Sequence, residues 1–446
     1  MNIRMIPEIM TSKMSRVSLA ASLCITFTAN SAIAGSIERV SVDSGNIQLD
    51  NTGTSPALSD NGRYVVFHAI VTSGSSSRTN AYLRDRATGI TELVSVANDG
   101  SDGGNGESVD VSDDGRYVAF TGRNLDGSIG YVDAYVRDRA MNTTELISVN
   151  SDGSPGTGNK SASDVSISGD GRYVAFASDS ADIVNGDTNS VTDIFVRDRV
   201  TGITQRISIA SDGTQANGDS GGAYRGTDIS ADGRYIAFNS AANNLVSNDT
   251  NGKSDLFLHD RTSGTTTRIN LANDGSQINA GSDGWYDLSS DGRYMVFSSS
   301  DGNLVANDSN GQTDVFVRDL TIDTTELVSF ANDGSQSNSL STFPGISANG
   351  RYVSFNSMAN NLVTGGNPQG FATFVRDRIA NTTEMVDIPH DGTVANHISF
   401  GNSSVSGDGR YIAFASVASN LVAGDSDINN NWDIFVHDRI SGQICQ

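Results

Sequence analysis

The chain has 446 residues with 52 acidic and 29 basic side chains, a net charge of −23. Such a surface repels nucleic acid and anionic membranes and suits cations or a basic partner. Its 47 glycines against 6 prolines, with Ser, Asn, Asp and Thr filling the connections, fit an all-β protein with many turns.

In chain order, residues 1–34 read as an export signal. Met14-Ser15-Arg16 offers a second start, an apolar run follows from Val17 to Phe27, and Ala32-Ile33-Ala34 is a small-residue cleavage site. The run is too short for a permanent membrane-spanning helix. Cys24 follows Leu23, where a lipidation site requires a small residue. Cleavage leaves Cys445 alone, so no intrachain disulfide is expected. Residues 35–446 are then expected as one exported domain, periplasmic or extracellular, with no membrane insertion.

The first segment after the leader, Ile37-Glu38-Arg39-Val40-Ser41-Val42, reads as a strand and matches Thr91-Glu92-Leu93-Val94-Ser95-Val96 further on. Between and beyond them one unit recurs seven times, Ser-x-Asp-Gly-Arg-Tyr-Val-Ala-Phe. Its copies centre on Gly62, Gly115, Gly171, Gly233, Gly292, Gly350 and Gly409. Steps of 53 to 62 residues between those glycines indicate a solenoid, a propeller or an array. Each period holds four short runs rich in β-branched and aromatic residues, bounded by turn formers. In the third period these are Asp164–Ser168 (A), Arg172–Phe176 (B), Asp193–Arg199 (C) and Thr204–Ile209 (D). Four strands in each of seven units, without helical periodicity, predict a seven-bladed β-propeller. The last unit ends soon after its C strand, so residues 37–42 are expected to supply its outer strand and close the ring. A closed ring is expected as a monomer.

Strand B carries Tyr two residues and Phe five residues after every repeat glycine, from Tyr64 and Phe67 to Tyr411 and Phe414. An even and an odd offset point to opposite faces, so each blade is buried on both sides. The Ser three residues before each glycine reads as a turn former, and the Asp of Arg-Asp-Arg in strand C reads as an intrablade acceptor. Antiparallel order then puts the short A–B and C–D turns on one face of the ring. The variable B–C and D–A loops lie on the other, where function is expected.

The B–C loops carry the sharpest chemical signal. They offer Asp187, Asn189 and Asp193 in blade three, Asp249, Asn251 and Asp255 in blade four, and Asp308, Asn310 and Asp314 in blade five. Blade seven has Asp425, Asp427 and Asp433. Oxygen ligands at alternate positions, with a glycine to turn the chain, are how short loops wrap a hard cation such as Ca²⁺. The alternative is an Asx turn bonded only to its own backbone. A second acidic set, Asp110, Asp228 and Asp287, is predicted to face the central channel as solvated carboxylates or a cation site. Outside the repeat positions the candidate acid–base and basic groups are few, chiefly Arg225, His390 and His397.

The repeated Ser-x-Asp-Gly-Arg-Tyr-Val-Ala-Phe followed by Asp-Ile-Phe-Val-Arg-Asp resembles the TolB-like, WD40-like (PD40) propeller repeat, over nearly all of the mature chain. The resemblance implies a propeller. It is shared by periplasmic scaffolds, by propeller domains of peptidases and by oligogalacturonate lyases. The expected function is an exported binding or scaffold propeller, ordered by calcium, that takes a protein or glycan on its loop-rich face. The alternative is a polysaccharide-active enzyme of uronate lyase type on the same fold.

Overall fold

The recurring unit closes on itself through the glycine it centres on. In blade three, Ser168 Oγ accepts the Tyr173 N–H at 2.9 Å and donates to Asp170 at 2.8 Å, tying the A–B turn. Gly171 sits at the tip with φ of 72°. A Cβ there would lie 2.2 Å from the Tyr117 ring of the preceding blade. Every repeat glycine meets a tyrosine of the neighbouring blade in this way, Gly62 meeting Tyr411 across the ring seam. Glycine is thus required twice, by its positive φ and by the close approach of two blades.

The computed structural model describes residues 35–440 except 50–51, 54, 74–75, 105, 107, 124, 126–131, 157–161, 222–225, 283, 367–369 and 424–430. The predicted leader and Cys445 lie outside the described residues. Among these, 28 strands in seven four-stranded antiparallel sheets make a seven-bladed propeller. In blade three the order is β10 (Ala162–Ile167), β11 (Tyr173–Ser178), β12 (Asp193–Asp198) and β13 (Ile203–Arg206). The predicted closure is present. In blade seven, β1 (Ser36–Arg39) pairs antiparallel with β28 (Asp433–Asp438), beside β27 (Tyr411–Ser416) and β26 (Ser404–Val405).

The core lies between blades. Phe176 and Phe195 are fully buried and stack at 5.6 Å on one face of blade three, packed against Ala119, Ala134 and Val136 of blade two. Ala175, Ala177, Ile194 and Val196 on the other face pack against Ile236, Phe238 and Phe257 of blade four. Apolar residues on both faces of strands B and C are what a sheet buried on both sides needs.

Arg-Asp-Arg divides into three tasks. Asp198 forms a fork with Arg172 at 2.9 and 2.7 Å, and the same pairing recurs in all seven blades. That guanidinium holds the Asp198 carboxyl well below the usual carboxylate range. Buried Arg197 donates to Thr204 at 2.9 Å and to the Asn150 carbonyl of the preceding blade at 3.1 Å. Arg199 reaches Glu145 of that blade at 2.9 Å and lies 4.6 Å from the Tyr117 ring centroid. Each repeat tyrosine except Tyr235 is therefore flanked by two guanidinium groups, one from its own blade and one from the next; blade five has Leu320 in place of the second arginine. His259 and His437 stand in for the first arginine and are buried. Burial pushes the His437 imidazole down to about 4.

Candidate functional site on the loop-rich face

The Asp-x-Asn loops reach into the outer part of their own blades. In blade three, Asp193 has no exposure and accepts from Ser208 Oγ at 2.5 Å and Asn189 Nδ2 at 3.0 Å. Arg206, the last residue of β13, lies 3.2 Å from Asp187 and 3.4 Å from Asp193. Blade four repeats the arrangement. Arg268 is 3.5 Å from Asp249 and 3.2 Å from Asp255, while Asn270 and Gln277 donate to those carboxylates at 2.6 and 2.9 Å. Asn251 turns its amide toward Asp255 at 3.4 Å. In blade seven, Arg39 of β1 lies 3.4 Å from Asp433, which also accepts from Ser41 and Gln48 at 2.7 Å each. Asp425 and Asp427 lie outside the described residues.

Blades three and four thus carry their own cation, a guanidinium set between two carboxylates, and in blade seven Arg39 stands against Asp433. Sequence reading by loop alone misses it, because the arginine sits on strand D. Aligning the blades exposes the signal: Arg39, Arg206 and Arg268 share one repeat position, and each faces a strand C that opens with Asp. Blade five breaks the rule. Asp314 has no exposure and accepts from Ser329 at 2.5 Å and Asn310 at 2.6 Å, yet Leu327 occupies the arginine position. Burial pushes Asp314 up to about 6 and also raises Asp308. The Asp308 Oδ1 atom is closed off from solvent and has no hydrogen-bond partner. No group of three His, Cys, Asp or Glu side chains is gathered for a metal among the described residues.

The channel carboxylates are not simply solvated. Asp110 accepts from Ser166 Oγ and from the Ile167 N–H, each at 2.9 Å, and Asp228 accepts from the Leu288 N–H at 2.8 Å. Asp287 accepts from the Ile346 N–H at 2.8 Å. In each case the acceptor is on one innermost strand and the donor on the next, so these groups fasten neighbouring blades around the hole. Burial, reinforced by Asp228, moves Asp110 up to about 6 against the pull of its hydrogen bonds. The cavity they line measures about 500 Å³.

At the loop-rich end lies a feature the repeat does not predict. Trp285 and Phe343 are 4.3 Å apart by ring centroid, Phe343 and Phe400 4.7 Å, Phe371 and Phe400 4.8 Å, and Phe400 and Trp432 6.5 Å. Both tryptophans of the chain belong to this row. Trp285 immediately precedes β18 (Tyr286–Leu288) and Phe343 lies in β22 (Ser341–Ile346), the inner strands of blades five and six. Phe371 and Trp432 immediately precede the C strands of blades six and seven. All five residues therefore sit where D–A and B–C connections meet the sheets. Phe343 is 8% exposed, while the other four rings are half-buried.

Phe343 has φ of 53° at a bulge between Thr342 and Gly345. A left-handed backbone costs a bulky residue about 1–3 kcal/mol and persists when its surroundings hold it there. Seven residues before their glycines, blades one to four place Ser55, Ser108, Asp164 and Gly226 where blades five and six place Trp285 and Phe343. The channel lining is polar beside blades two and three, with Ser108 donating to Asp164 at 2.9 Å and Arg123 among the lining residues. Five aromatic residues outside the repeat positions, two of them the chain's tryptophans, were the available sequence signal. The candidate acid–base residues are not part of this row: His390 and His397 are exposed, and Arg225 lies outside the described residues.

Comparison with known proteins supports the architecture and goes no further. No protein-family model matches the sequence, and no curated protein does. Among solved structures, the chain is similar to an oligogalacturonate lyase from Vibrio parahaemolyticus, with 12% identity and a TM-score of 0.52 over 91% of this chain and 97% of that one. It is also similar to the β-propeller domain of the Trilobed protease from Pyrococcus furiosus, with 10% identity and a TM-score of 0.52 over 88% and 96%. A putative TolB from Agrobacterium tumefaciens aligns at 18% identity and a TM-score of 0.39 over 61% and 79%. At such identities the likeness is one of fold.

Proposed function

We propose that this seven-bladed ring is an exported binding propeller that holds a glycan on its loop-rich face. The row Trp285–Phe343–Phe400–Trp432, with Phe371 beside it, carries the reading. Its rings serve no repeat position, and four of them are partly exposed. Flat aromatic faces flanked by a few hydrogen-bonding groups suit the apolar face and hydroxyl edge of a pyranose. The net charge of −23 disfavours anionic polymers and favours a neutral or basic glycan. Export to the periplasm or beyond rests on the leader read in residues 1–34. Ordering of a loop on this face by a hard cation such as Ca²⁺ belongs to the same reading.

Because both tryptophans lie in the row, their fluorescence reports the site directly. Titration with neutral and amino-sugar oligosaccharides is expected to give a saturable change with at least one of them. Trp285→Ala and Trp432→Ala should each weaken that binding about two- to twelvefold, the loss of one aromatic contact. No saturable change with any oligosaccharide would overturn the glycan reading and leave the row to a protein partner. Product released from a uronate polymer, and lost on replacing His390 or His397 with alanine, would replace binding with catalysis.

A further inference from the structure

Two inner strands depart from the repeat in the same way. Five blades open with inner strands of two or three residues, whereas β10 and β22 run for six. Each of the two carries a bulge, between Ser163 and Val165 and between Thr342 and Gly345. In blade three the bulge leaves Asp164 out of the ladder, and in blade six it leaves out Phe343 and Pro344. Pro344 brings no N–H to pair, and a Cβ at Gly345 would lie 2.5 Å from the Ser403 carbonyl oxygen of blade seven. Asp164 and Phe343 hold the same place, seven residues before the repeat glycine, and have φ of 61° and 53°. Of the eight non-glycine residues with positive φ among the described residues, seven are Asn, Asp or Ser, whose short polar side chains tolerate it. The eighth is Phe343, and on a side chain of that bulk the conformation is imposed by its surroundings.

The expelled side chains reach both neighbouring blades. Asp164 accepts from Ser108 Oγ of blade two at 2.9 Å and from the Gly226 N–H of blade four. Phe343 does with a ring what Asp164 does with oxygen, lying 4.3 Å from Trp285 and 4.7 Å from Phe400. Trp285 is fastened to blade five, its carbonyl accepting the Ser298 N–H at 3.1 Å. Phe400 is fastened to blade seven, its N–H donating to the Ala415 carbonyl at 3.2 Å. We infer that Phe343 is the positioning residue of the aromatic row: its bulge sets one buried ring between two half-buried ones and fixes the faces they present. The purpose of that placement rests on the proposed glycan reading; the placement itself does not. Bulges recur beside functional sites, where they re-aim a side chain. Phe343 is 8% exposed, so it offers a ligand little contact of its own and acts through Trp285 and Phe400.

Trp432→Phe leaves Trp285 as the single tryptophan of the full chain, and its emission then reports placement without any ligand. In that background Phe343→Asn, whose new side chain suits the positive φ, should shift the Trp285 emission to longer wavelength and weaken its near-ultraviolet circular dichroism. Phe343→Tyr should preserve both signals, and Asp164→Asn, the matching change at the other bulge, should move neither. Binding is titrated with cellotetraose and chitotetraose, both tryptophans in place. Phe343→Asn should weaken it about fivefold, the scale of losing one aromatic contact, and Phe343→Tyr should return it to within about twofold of the wild type. Added to Trp285→Ala, Phe343→Asn should cost less than it does alone, because residues that act as a unit are not additive. Should Phe343→Asn fail to fold, Phe343→Leu, which keeps bulk without a flat ring, carries the same expectations. An unmoved Trp285 signal overturns the inference, as do additive losses. If neither oligosaccharide binds the wild type, the glycan reading falls, and the Trp285 signal alone decides whether Phe343 places the row.

Discussion

Replacing Gly233 with alanine tests whether contact between blades, and not turn geometry alone, demands glycine in the repeat. Gly264 is the control in the same blade: the two have φ of 71° and 70°. A Cβ at Gly264 meets nothing within 4 Å, whereas a Cβ at Gly233 would lie 2.1 Å from Tyr173 Cδ2 of blade three. The shared cost of a left-handed alanine is about 1 kcal/mol. Gly233→Ala adds an overpacking cost of about 1–3 kcal/mol. It also disturbs Arg261, which stacks 4.3 Å from the Tyr173 ring centroid, worth about 0.5–2 kcal/mol. The expected losses are therefore about 1 kcal/mol for Gly264→Ala and about 3 kcal/mol or more for Gly233→Ala. Urea unfolding reads them directly, and in a thermal scan each kcal/mol moves a ring of roughly 400 residues by about 1 °C. Adding Tyr173→Ala should recover part of the Gly233→Ala loss, with a coupling of about 1–2 kcal/mol. Equal losses at the two glycines, or no coupling, would refute the argument.

Two further outcomes follow from the closure and from a buried acid. Deleting residues 37–42 removes β1 with the Arg39–Asp433, Ser41–Asp433 and Glu38–Arg86 contacts. Amide exchange should then accelerate in every blade; protection lost in blade seven alone would contradict a cooperative ring. Asp387 in blade six is 1% exposed, and burial pushes it up to about 6 from an ordinary 3.8. A raised folded pKa contributes stability that is present at low pH and is lost as pH rises through about 6. Asp387→Asn should thus match the wild type near pH 4 and exceed it near pH 7.5, by on the order of 1–3 kcal/mol. A difference that does not change with pH would show that the carboxyl titrates normally.

The scaffold was legible because its contacts recur. Each copy of the repeat states the same tyrosine, glycine, serine and arginine at the same spacing, and the unmatched strand at residues 37–42 announced the closure. The site was legible only in part, for two different reasons. The Asp-x-Asn loops stood out locally, but their partners Arg39, Arg206 and Arg268 lie on another strand and emerge only when blades are superposed. The aromatic row is assembled from residues 285, 343, 371, 400 and 432, and nothing local marks any one of them as a neighbour of the next. The channel carboxylates illustrate a third limit. Asp110, Asp228 and Asp287 looked like solvent-facing charge, whereas each accepts a backbone N–H from the adjacent blade.

The pairing of β1 with β28 sets the order in which the ring can be made. Blades one to six each consist of four consecutive strands, so their sheets assemble from neighbours in the chain. The seventh joins residues as distant as Ser41 and Asp433, 392 positions apart. Bringing such ends together costs about 5 kcal/mol in chain entropy, far more than any hairpin here. The clasp is therefore expected to fasten last and to open first, with six finished sheets waiting on one short strand. While it waits, that strand is a bare edge of the kind that recruits other chains. Its sequence, Ser-Ile-Glu-Arg, puts an acid and a base on the edge, and the same two side chains that lock the finished ring guard the unfinished one.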